Sequence, residues 1–503
     1  MRLIIVLLFS VFSFSVNAQQ KYFNKLYDMG YVLTTAKGIL EINNNYYVSA
    51  LGNDYNPWHQ IIVIYKINKK GQLLDTLIYK PNDRWLSAYP RNIVRSNDDC
   101  FFVNYGEIPT NDSLTEMIMK IDTNLNIKWI RHYHDTLNIP NDPYINFGIN
   151  NMSSTNDGGL IAVGNINGTG NYHRLFVMKT DSLGTAEWIK YNPTTLGVSY
   201  AIKQTPDSGY VYVSTPPKII KLDKYGNQLW NTSFNINYIQ YASHDVVIDK
   251  DGNIIAGINE FIIDGDIDGD MKIHLFKFDG NTGQMIWDKE YYFYRTVDNL
   301  LVAQHESMGL ITLDDGSIIW YGHSIGDVGS NSFAAGAIMK FNTNGDSLWS
   351  SLLDMPLYRD SLSMAWGIFD MKPTADNGFV GVGVQVGVGK SMAWVVKLDS
   401  MGHDMPGGNG LSVAELNNTS LASLQIYPNP ATDQLNIKIP SQYKQHIGQI
   451  IVYNSQGKEV DKTNIPKNTE TINLNINQLL SGVYLLRLVS GGEFVGGGKF
   501  IKQ

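Results

Sequence analysis

The sequence predicts an all-β protein, a seven-bladed β-propeller followed by a small Ig-like β-sandwich. Three observations lead there. Tyrosine (29 residues) and glycine (46) are abundant and charged residues make up only 17% of the chain, a mixture suited to turn-rich sheets rather than to helical bundles. A pattern built on Lys-x-Asp-x-x-Gly recurs seven times between Lys66 and Gly402. The segment after Leu424 alternates apolar and polar residues in short runs separated by turns.

At 503 residues the chain is too long for one ordinary core, so two or more domains, or a repeat array with an appendage, are expected. A formal net charge of -8 provides neither a basic footprint for nucleic acid nor a polybasic patch for an anionic membrane. The first residues read as a secretory signal peptide, residues 1–18. Met1-Arg2 is positive, Leu3 to Val16 is apolar, and Val16-Asn17-Ala18 places the cleavage after Ala18. That apolar run is shorter than the roughly 20 residues a spanning helix needs, and no later segment reaches that length, so no transmembrane helix is expected in the mature protein. The single cysteine, Cys100, lies in an apolar run and reads as a small buried hydrophobe. No disulfide within the chain can form, and no cysteine follows the cleavage site to take a lipid anchor.

The repeat is clearest in Lys179-Thr-Asp181-Ser-Leu-Gly184-Thr-Ala-Glu-Trp188 and in Lys221-Leu-Asp223-Lys-Tyr-Gly226-Asn-Gln-Leu-Trp230. Lys340, Asn342, Gly345 and Trp349 fit it without a gap, and Lys277, Asp279, Gly283 and Trp287 fit with one added residue. Lys120, Asp122 and Trp129 keep the frame with Leu125 at the glycine position. Lys66, Asn68 and Gly71 keep it without the tryptophan, and Lys397, Asp399 and Gly402 have Pro406 where the tryptophan should stand. Each copy follows a turn and an apolar strand, such as Asp157-Gly-Gly-Leu-Ile-Ala-Val-Gly164 or Asp376-Asn-Gly-Phe-Val-Gly-Val-Gly383. One unit is thus a meander of about four strands that cannot bury both faces alone, so successive units should pack around an axis as propeller blades. The seventh copy lacks its closing strand. Tyr22-Phe-Asn-Lys-Leu-Tyr-Asp28, just after the leader, resembles the closing strands of sister copies and should complete the last blade, leaving no naked edge. The propeller is therefore assigned to residues 19–402.

At Phe278-Asp279-Gly-Asn-Thr282-Gly283-Gln-Met-Ile-Trp287 the spacing resembles the propeller repeat of the quinoprotein-like group. That resemblance covers about residues 21 to 402 and implies the propeller fold. The quinone-dependent dehydrogenases of that group carry vicinal cysteines and a metal site beside the cofactor, and this chain has one cysteine.

Candidate chemistry is sparse. Asp264, Asp266, Asp268 and Asp270 alternate along an acidic turn, with Gly269 in place for a sharp bend, which resembles the first half of an EF-hand calcium loop. The twelfth position is Leu275 rather than a bidentate glutamate, which excludes a complete EF-hand. A partial calcium loop and a solvated acidic turn both remain open. His132 and His134 share one face of a strand, without a third metal ligand that sequence can locate. His305-Glu306 and His244-Asp245 have no nucleophile motif beside them, and no G-x-S-x-G, H-E-x-x-H or phosphate-cradling loop is present. The glycine-rich stretch from Val382 to Gly389 lies within β repeats and reads as tight strand packing. Trp129, Trp188, Trp230, Trp287 and Trp349 recur in register and read as structural. Trp58, Trp85, Trp320, Trp366 and Trp394 lie outside it, and Trp58 and Trp85 are the best candidates for stacking on a sugar or a partner.

Residues 403–423 read as a linker. From residue 424 to 503, short strands around Leu435 to Ile439, Ile450 to Tyr453, Ile472 to Ile476 and Val483 to Leu488 predict a small sandwich. Its motifs resemble the type A C-terminal sorting domain of the type IX secretion system. They are Tyr427-Pro428-Asn429-Pro430 at the start, Val452-Tyr453-Asn-Ser-Gln-Gly457, Leu480-Ser-Gly482-Val-Tyr484, and Lys499-Phe-Ile-Lys502 at the end. The resemblance implies inner-membrane export by the leader and then outer-membrane passage by the type IX machinery. It also implies removal of the domain, with the cargo either released or joined to surface lipopolysaccharide. For the cargo, a non-catalytic propeller that binds a glycan or protein is the expectation. The other reading is a secreted hydrolase or lyase acting on polysaccharide.

Overall fold

The computed structural model describes residues 22–503 except 56–57, 82–83, 110–113, 135–145, 169–171, 193–197, 216, 234–243, 265–266, 292–294, 298–299, 303, 329–330, 354–364, 388–389, 405–421, 440–447, 455–458 and 491–492. The segments expected from sequence to be a leader, residues 1–18, and a linker, residues 403–423, therefore lie wholly or mostly outside the described residues. No helix occurs among the described residues, and none is long and apolar enough to cross a membrane.

The unit built on Lys179 shows how the sequence becomes a sheet. Asn146–Ser154, Leu160–Gly168, Tyr172–Thr180 and Ala186–Asn192 form an antiparallel meander in chain order. Lys179 pairs with Trp188, and the register shifts immediately after it. The hairpin between the last two strands is closed by its own side chain: Asp181 Oδ1 accepts from the N–H groups of Leu183 (2.9 Å) and Thr185 (2.7 Å). Gly184 sits at φ +77°, where an L side chain is strained. The same four-stranded order recurs around Lys221, Lys277 and Lys340. Around Lys120 the inner position is shared by Ile93–Arg95 and Arg84–Ser87, both paired with Cys100–Pro109. Cys100 opens that strand, 8% exposed and unpaired.

The first and last units form one eight-stranded sheet, joined by the single parallel pair Leu33 and Ser391. Phe23–Tyr27 pairs antiparallel with Lys390–Leu398, placing Phe23 opposite Lys397 as Trp188 stands opposite Lys179. Before Leu424, each buried apolar cluster is shared by two successive units. Met178 of the Lys179 unit packs with Phe102 of the Lys120 unit, and Tyr210 of the Lys221 unit packs with Val177 of the Lys179 unit. Val395 of the last unit packs with Val63 of the first, so the succession closes on itself as a β-propeller.

The repeated motif residues meet across these boundaries. An added Cβ at Gly184, Gly226, Gly283, Gly345 or Gly402 would lie 2.6 to 3.1 Å from the indole of Trp129, Trp188, Trp230, Trp287 or Trp349 respectively, each belonging to the preceding unit. Phe23 stands in the same relation to Gly71, at 2.8 Å. The pattern also explains its own exception. The Lys66 unit has Asp75 at the tryptophan register, and the next hairpin carries Leu125 in place of glycine, at φ +63° and 6% exposed, filling the space itself. A second fastening comes from hydroxyls: Tyr27 donates to Gly71 O (2.9 Å), Tyr133 to Gly184 O (2.6 Å) and Thr232 to Gly283 O (2.7 Å).

The repeated lysines are latches. Lys179, Lys221 and Lys397 are almost wholly buried and reach back to the turn between the first two strands of their own sheet, at 2.8 Å from Asp157, 2.7 Å from Asp207 and 3.0 Å from Asp376. Lys120 with Asp98 (2.9 Å) and Lys277 with Asp249 (2.8 Å) repeat the arrangement. Burial alone would raise these carboxyls, but the lysine together with nearby hydroxyl and N–H donors holds Asp157, Asp207 and Asp376 below the usual carboxylate range.

The segment after Leu424 has its own core, centred on Leu435, Ile437, Ile450, Val452, Leu486 and Phe500. Two sheets enclose it. Gln425–Tyr427, Gln434–Lys438 and Thr471–Asn475 form one; Gly448–Asn454, Glu459–Ile465, Gly482–Ser490, Glu493–Lys502 and Ala422–Ser423 form the other.

Candidate functional site

The innermost strands of successive units pack side by side around the propeller axis. Most of these strands carry a β-bulge, which leaves an N–H without a partner in its own ladder. The preceding unit supplies the acceptor. Glu116 Oε1 takes Ile149 N–H (2.9 Å), Asn151 Oδ1 takes Ile202 N–H (3.4 Å), Asp245 Oδ2 takes Leu310 N–H (2.7 Å) and Asp370 Oδ2 takes Ile39 N–H (3.0 Å). This requirement brings carboxylates to the axis.

Cations meet them there. Arg91 precedes the inner strand Ile93–Arg95, and its Nη1 reaches Asp245 Oδ1 at 2.7 Å, while Nη2 donates to Tyr200 O at 2.8 Å. The side chain thus passes the neighbouring Lys179 unit to join the Lys221 and Lys277 units. Its backbone is held at φ +64°, unusual for a residue other than glycine, and its N–H donates to Lys37 O at 2.7 Å. Lys372 binds Asp370 Oδ1, which also accepts from the Tyr321 hydroxyl at 3.4 Å. Lys203 Nζ donates to Ser153 Oγ at 3.3 Å. Burial lowers the Lys203 ammonium, with Asp245 and Asp370 opposing and Arg91 and Lys372 reinforcing, so all five charged groups lie within electrostatic reach of one another. Burial also pulls against Arg91, but Asp245 and Asp370 hold it firmly charged. Lys37, over the Phe369 ring at 5.0 Å, is pushed down to about 8 by burial.

Arg91, Lys203, Asp370 and Lys372 escaped the sequence reading, and Asp245 was noted only for its neighbour His244. A signal exists in register. Asn92, Asn151, Asp245 and Asp370 each stand six residues before the aspartate of the following turn, Asp98, Asp157, Asp251 and Asp376.

The residues singled out from sequence lie elsewhere. Asp264 ends the strand Ile254–Asp264, Asp268 and Asp270 lie on its partner Ile267–Phe278, and Asp266 lies outside the described residues. The acidic turn is therefore the tip of a long hairpin, with Asp264 opposite Ile267 and Asp270 opposite Ile262. His132 pairs with the buried Glu107 at 3.1 Å, and His134 is exposed just beyond the end of the strand. Among the described residues no group of three or more His, Cys, Asp or Glu side chains could hold a metal ion. Trp85 is 47% exposed on Arg84–Ser87, whereas Trp320 and Trp394 are core residues.

The structure brings the outer motifs of the C-terminal segment together. Asn429 Nδ2 donates to Lys499 O (2.9 Å), and its Oδ1 accepts from Ile501 N–H (2.9 Å). Ala431 N–H donates to Ile501 O (2.8 Å), so Tyr427-Pro428-Asn429-Pro430 is clipped to the terminal strand. Gly482 pairs with Lys502, and Tyr484 stacks on Phe500 with ring centroids 5.4 Å apart while its hydroxyl donates to Leu480 O at 2.7 Å. Gly457 lies outside the described residues.

No curated protein matches the chain. Among solved structures, the β-propeller domain of the Trilobed protease from Pyrococcus furiosus, reported to have an open velcro topology, is similar to it. The match has 11% identity and a TM-score of 0.40, and covers 78% of this chain and 97% of that one. Residues 425–503 match the family model of the secretion system C-terminal sorting domain. The chain therefore carries a type IX sorting domain behind its propeller and is exported across the outer membrane, to the cell surface or into the medium.

Proposed function

We propose that the cargo is a seven-bladed propeller that binds a glycan or protein without turning it over. What carries this reading is the state of the axial carboxylates. Asp245 accepts from the Leu310 and Val246 N–H groups and is ion-paired with Arg91, and Asp370 accepts from Ile39 N–H, Tyr321 and Lys372. General acid or base work needs a carboxyl free to exchange a proton with substrate, and both of these are occupied in joining strands and balancing cations. The alternative, a polysaccharide-active hydrolase or lyase, would rest on Glu116, which burial and the Glu107 charge push up to about 8. That carboxyl also accepts from the Ile149 N–H.

On this reading residues 1–18 are the leader and the sorting domain is the substrate of the type IX machinery, after which the cargo is released or joined to lipopolysaccharide. The small C-terminal sandwich is Ig-like. Calcium on Asp264, Asp266, Asp268 and Asp270 belongs to the same proposal, since alternating carboxylates offer the oxygen ligands calcium takes. A glycan array probed with the exported protein, with and without calcium, tests the proposal, with product analysis alongside. Bound glycans that remain intact support it, and turnover of any polysaccharide overturns it.

A further inference from the structure

The axial cluster has more donors to offer than acceptors. Arg91, Lys203 and Lys372 face Asp245 and Asp370, which leaves one positive charge uncompensated. The carboxylate oxygens are already engaged, yet Arg91 Nε and Nη1 make no hydrogen bond of good geometry, Nη1 lying beside Asp245 as an ion pair at 2.7 Å, although the side chain is only 11% exposed. Lys203, with three protons to donate, makes one hydrogen bond among the described residues, to a serine hydroxyl. An ammonium withdrawn from water without a counter-charge is costly, and an anion placed against it offsets that cost. The Lys372 side chain is 29% exposed, so the cluster is open to solvent on that side.

We propose that the charged cluster at the propeller axis binds a singly charged anionic group of a sugar, a carboxylate or a sulfate ester, between Lys203, Lys372 and the free edge of Arg91. The inference rests on the binding reading above and names its ligand class. A single negative charge balances the cluster, whereas a phosphate dianion would leave it negative. Neutral sugars find few acceptors there, since the two carboxylates are already paired.

The test is isothermal titration of the exported full-length protein with glucuronate, methyl sulfate and glucose, each at low and high salt, for the wild type and Lys203→Met. One or both anions bind and glucose does not. Binding weakens with salt, and Lys203→Met weakens it by at least about tenfold, as expected for loss of a charge-assisted contact. The preferred anion shows whether the sugar is a uronate or a sulfate ester. Lys203→Met should melt no lower than the wild type, because it removes a half-buried ammonium that has no carboxylate partner, so lost binding would not reflect lost folding. Absence of binding by either anion, or equal affinity in Lys203→Met, overturns the inference. Array binding of neutral glycans or a protein, unchanged in Lys203→Met, overturns it while leaving the binding reading intact. Turnover of a polysaccharide instead overturns the binding reading itself.

Discussion

Gly226→Ala isolates the contact on which the propeller's circumference depends. The residue sits at φ +79°, and a Cβ there would lie 2.8 Å from Trp188 Cζ3, 2.9 Å from Cη2 and 3.1 Å from Lys190 Cγ. Left-handed backbone costs an alanine about 1 to 2 kcal/mol. Carbon atoms pack at about 3.5 to 4 Å, so the indole must retreat by several tenths of an ångström or more, and overpacking of this kind costs about 1 to 3 kcal/mol. The sum is about 2 to 5 kcal/mol. Gly252→Ala is the control: its φ is +81°, but the nearest atom to the new Cβ is Pro206 Cγ at 3.9 Å, so only the backbone penalty applies. Urea unfolding followed by tryptophan fluorescence should place Gly226→Ala about 1 to 3 kcal/mol below Gly252→Ala. Adding Trp188→Leu should recover part of the difference, as a double-mutant cycle reads coupling between touching residues. Equal losses in the two alanine variants, or strict additivity with Trp188→Leu, would refute the interlock between units.

Further outcomes concern latches, protons and export. Asp207→Asn leaves the Lys221 ammonium, 3% exposed, without a counter-charge and should cost about 3 to 5 kcal/mol, while Lys221→Met leaves the half-exposed Asp207 to water and should cost clearly less; chemical denaturation ranks them. Because Asp157, Asp207 and Asp376 are held below their unfolded values, their stabilisation is fully present above about pH 4 and is lost as pH falls through the depressed values. Melting temperature against pH should drop on the acid side, and less steeply in Asp207→Asn. Glu116 works with the opposite sign: at about 8 in the folded chain it keeps a proton that the unfolded chain has released, so stability falls as pH rises from about 4.3 to 8, and Glu116→Gln should flatten that limb. Asn429→Ala removes both hydrogen bonds that clip the opening motif to the terminal strand. It should shift the protein from the surface or medium to the periplasm, read by immunoblot of fractions.

What the sequence made legible was local. The Lys-x-Asp-x-x-Gly hairpin is fixed by one carboxylate and one positive φ within a few residues, so it can be read directly from spacing. The tryptophan was visible as a repeat, but its partner is the glycine of the next copy, which no single copy reveals. The lysine was visible too, although its aspartate lies a strand away, as Lys221 is from Asp207 across 14 residues. The charged cluster at the axis was not legible. Arg91 meets Tyr200 across 109 residues of chain, and only the circular arrangement of sheets makes them neighbours. In the C-terminal segment the four motifs were readable one by one, whereas the bond from Asn429 to Lys499 spans 70 residues and needed the folded sandwich.

The most direct test of the account is to incubate the purified exported protein with acidic and neutral polysaccharides, measuring binding and new reducing or unsaturated chain ends in the same samples. The account predicts retention on an acidic polysaccharide, weakened by salt and by Lys203→Met, with no new chain ends. New chain ends that disappear in Glu116→Gln would contradict it and make the propeller an enzyme.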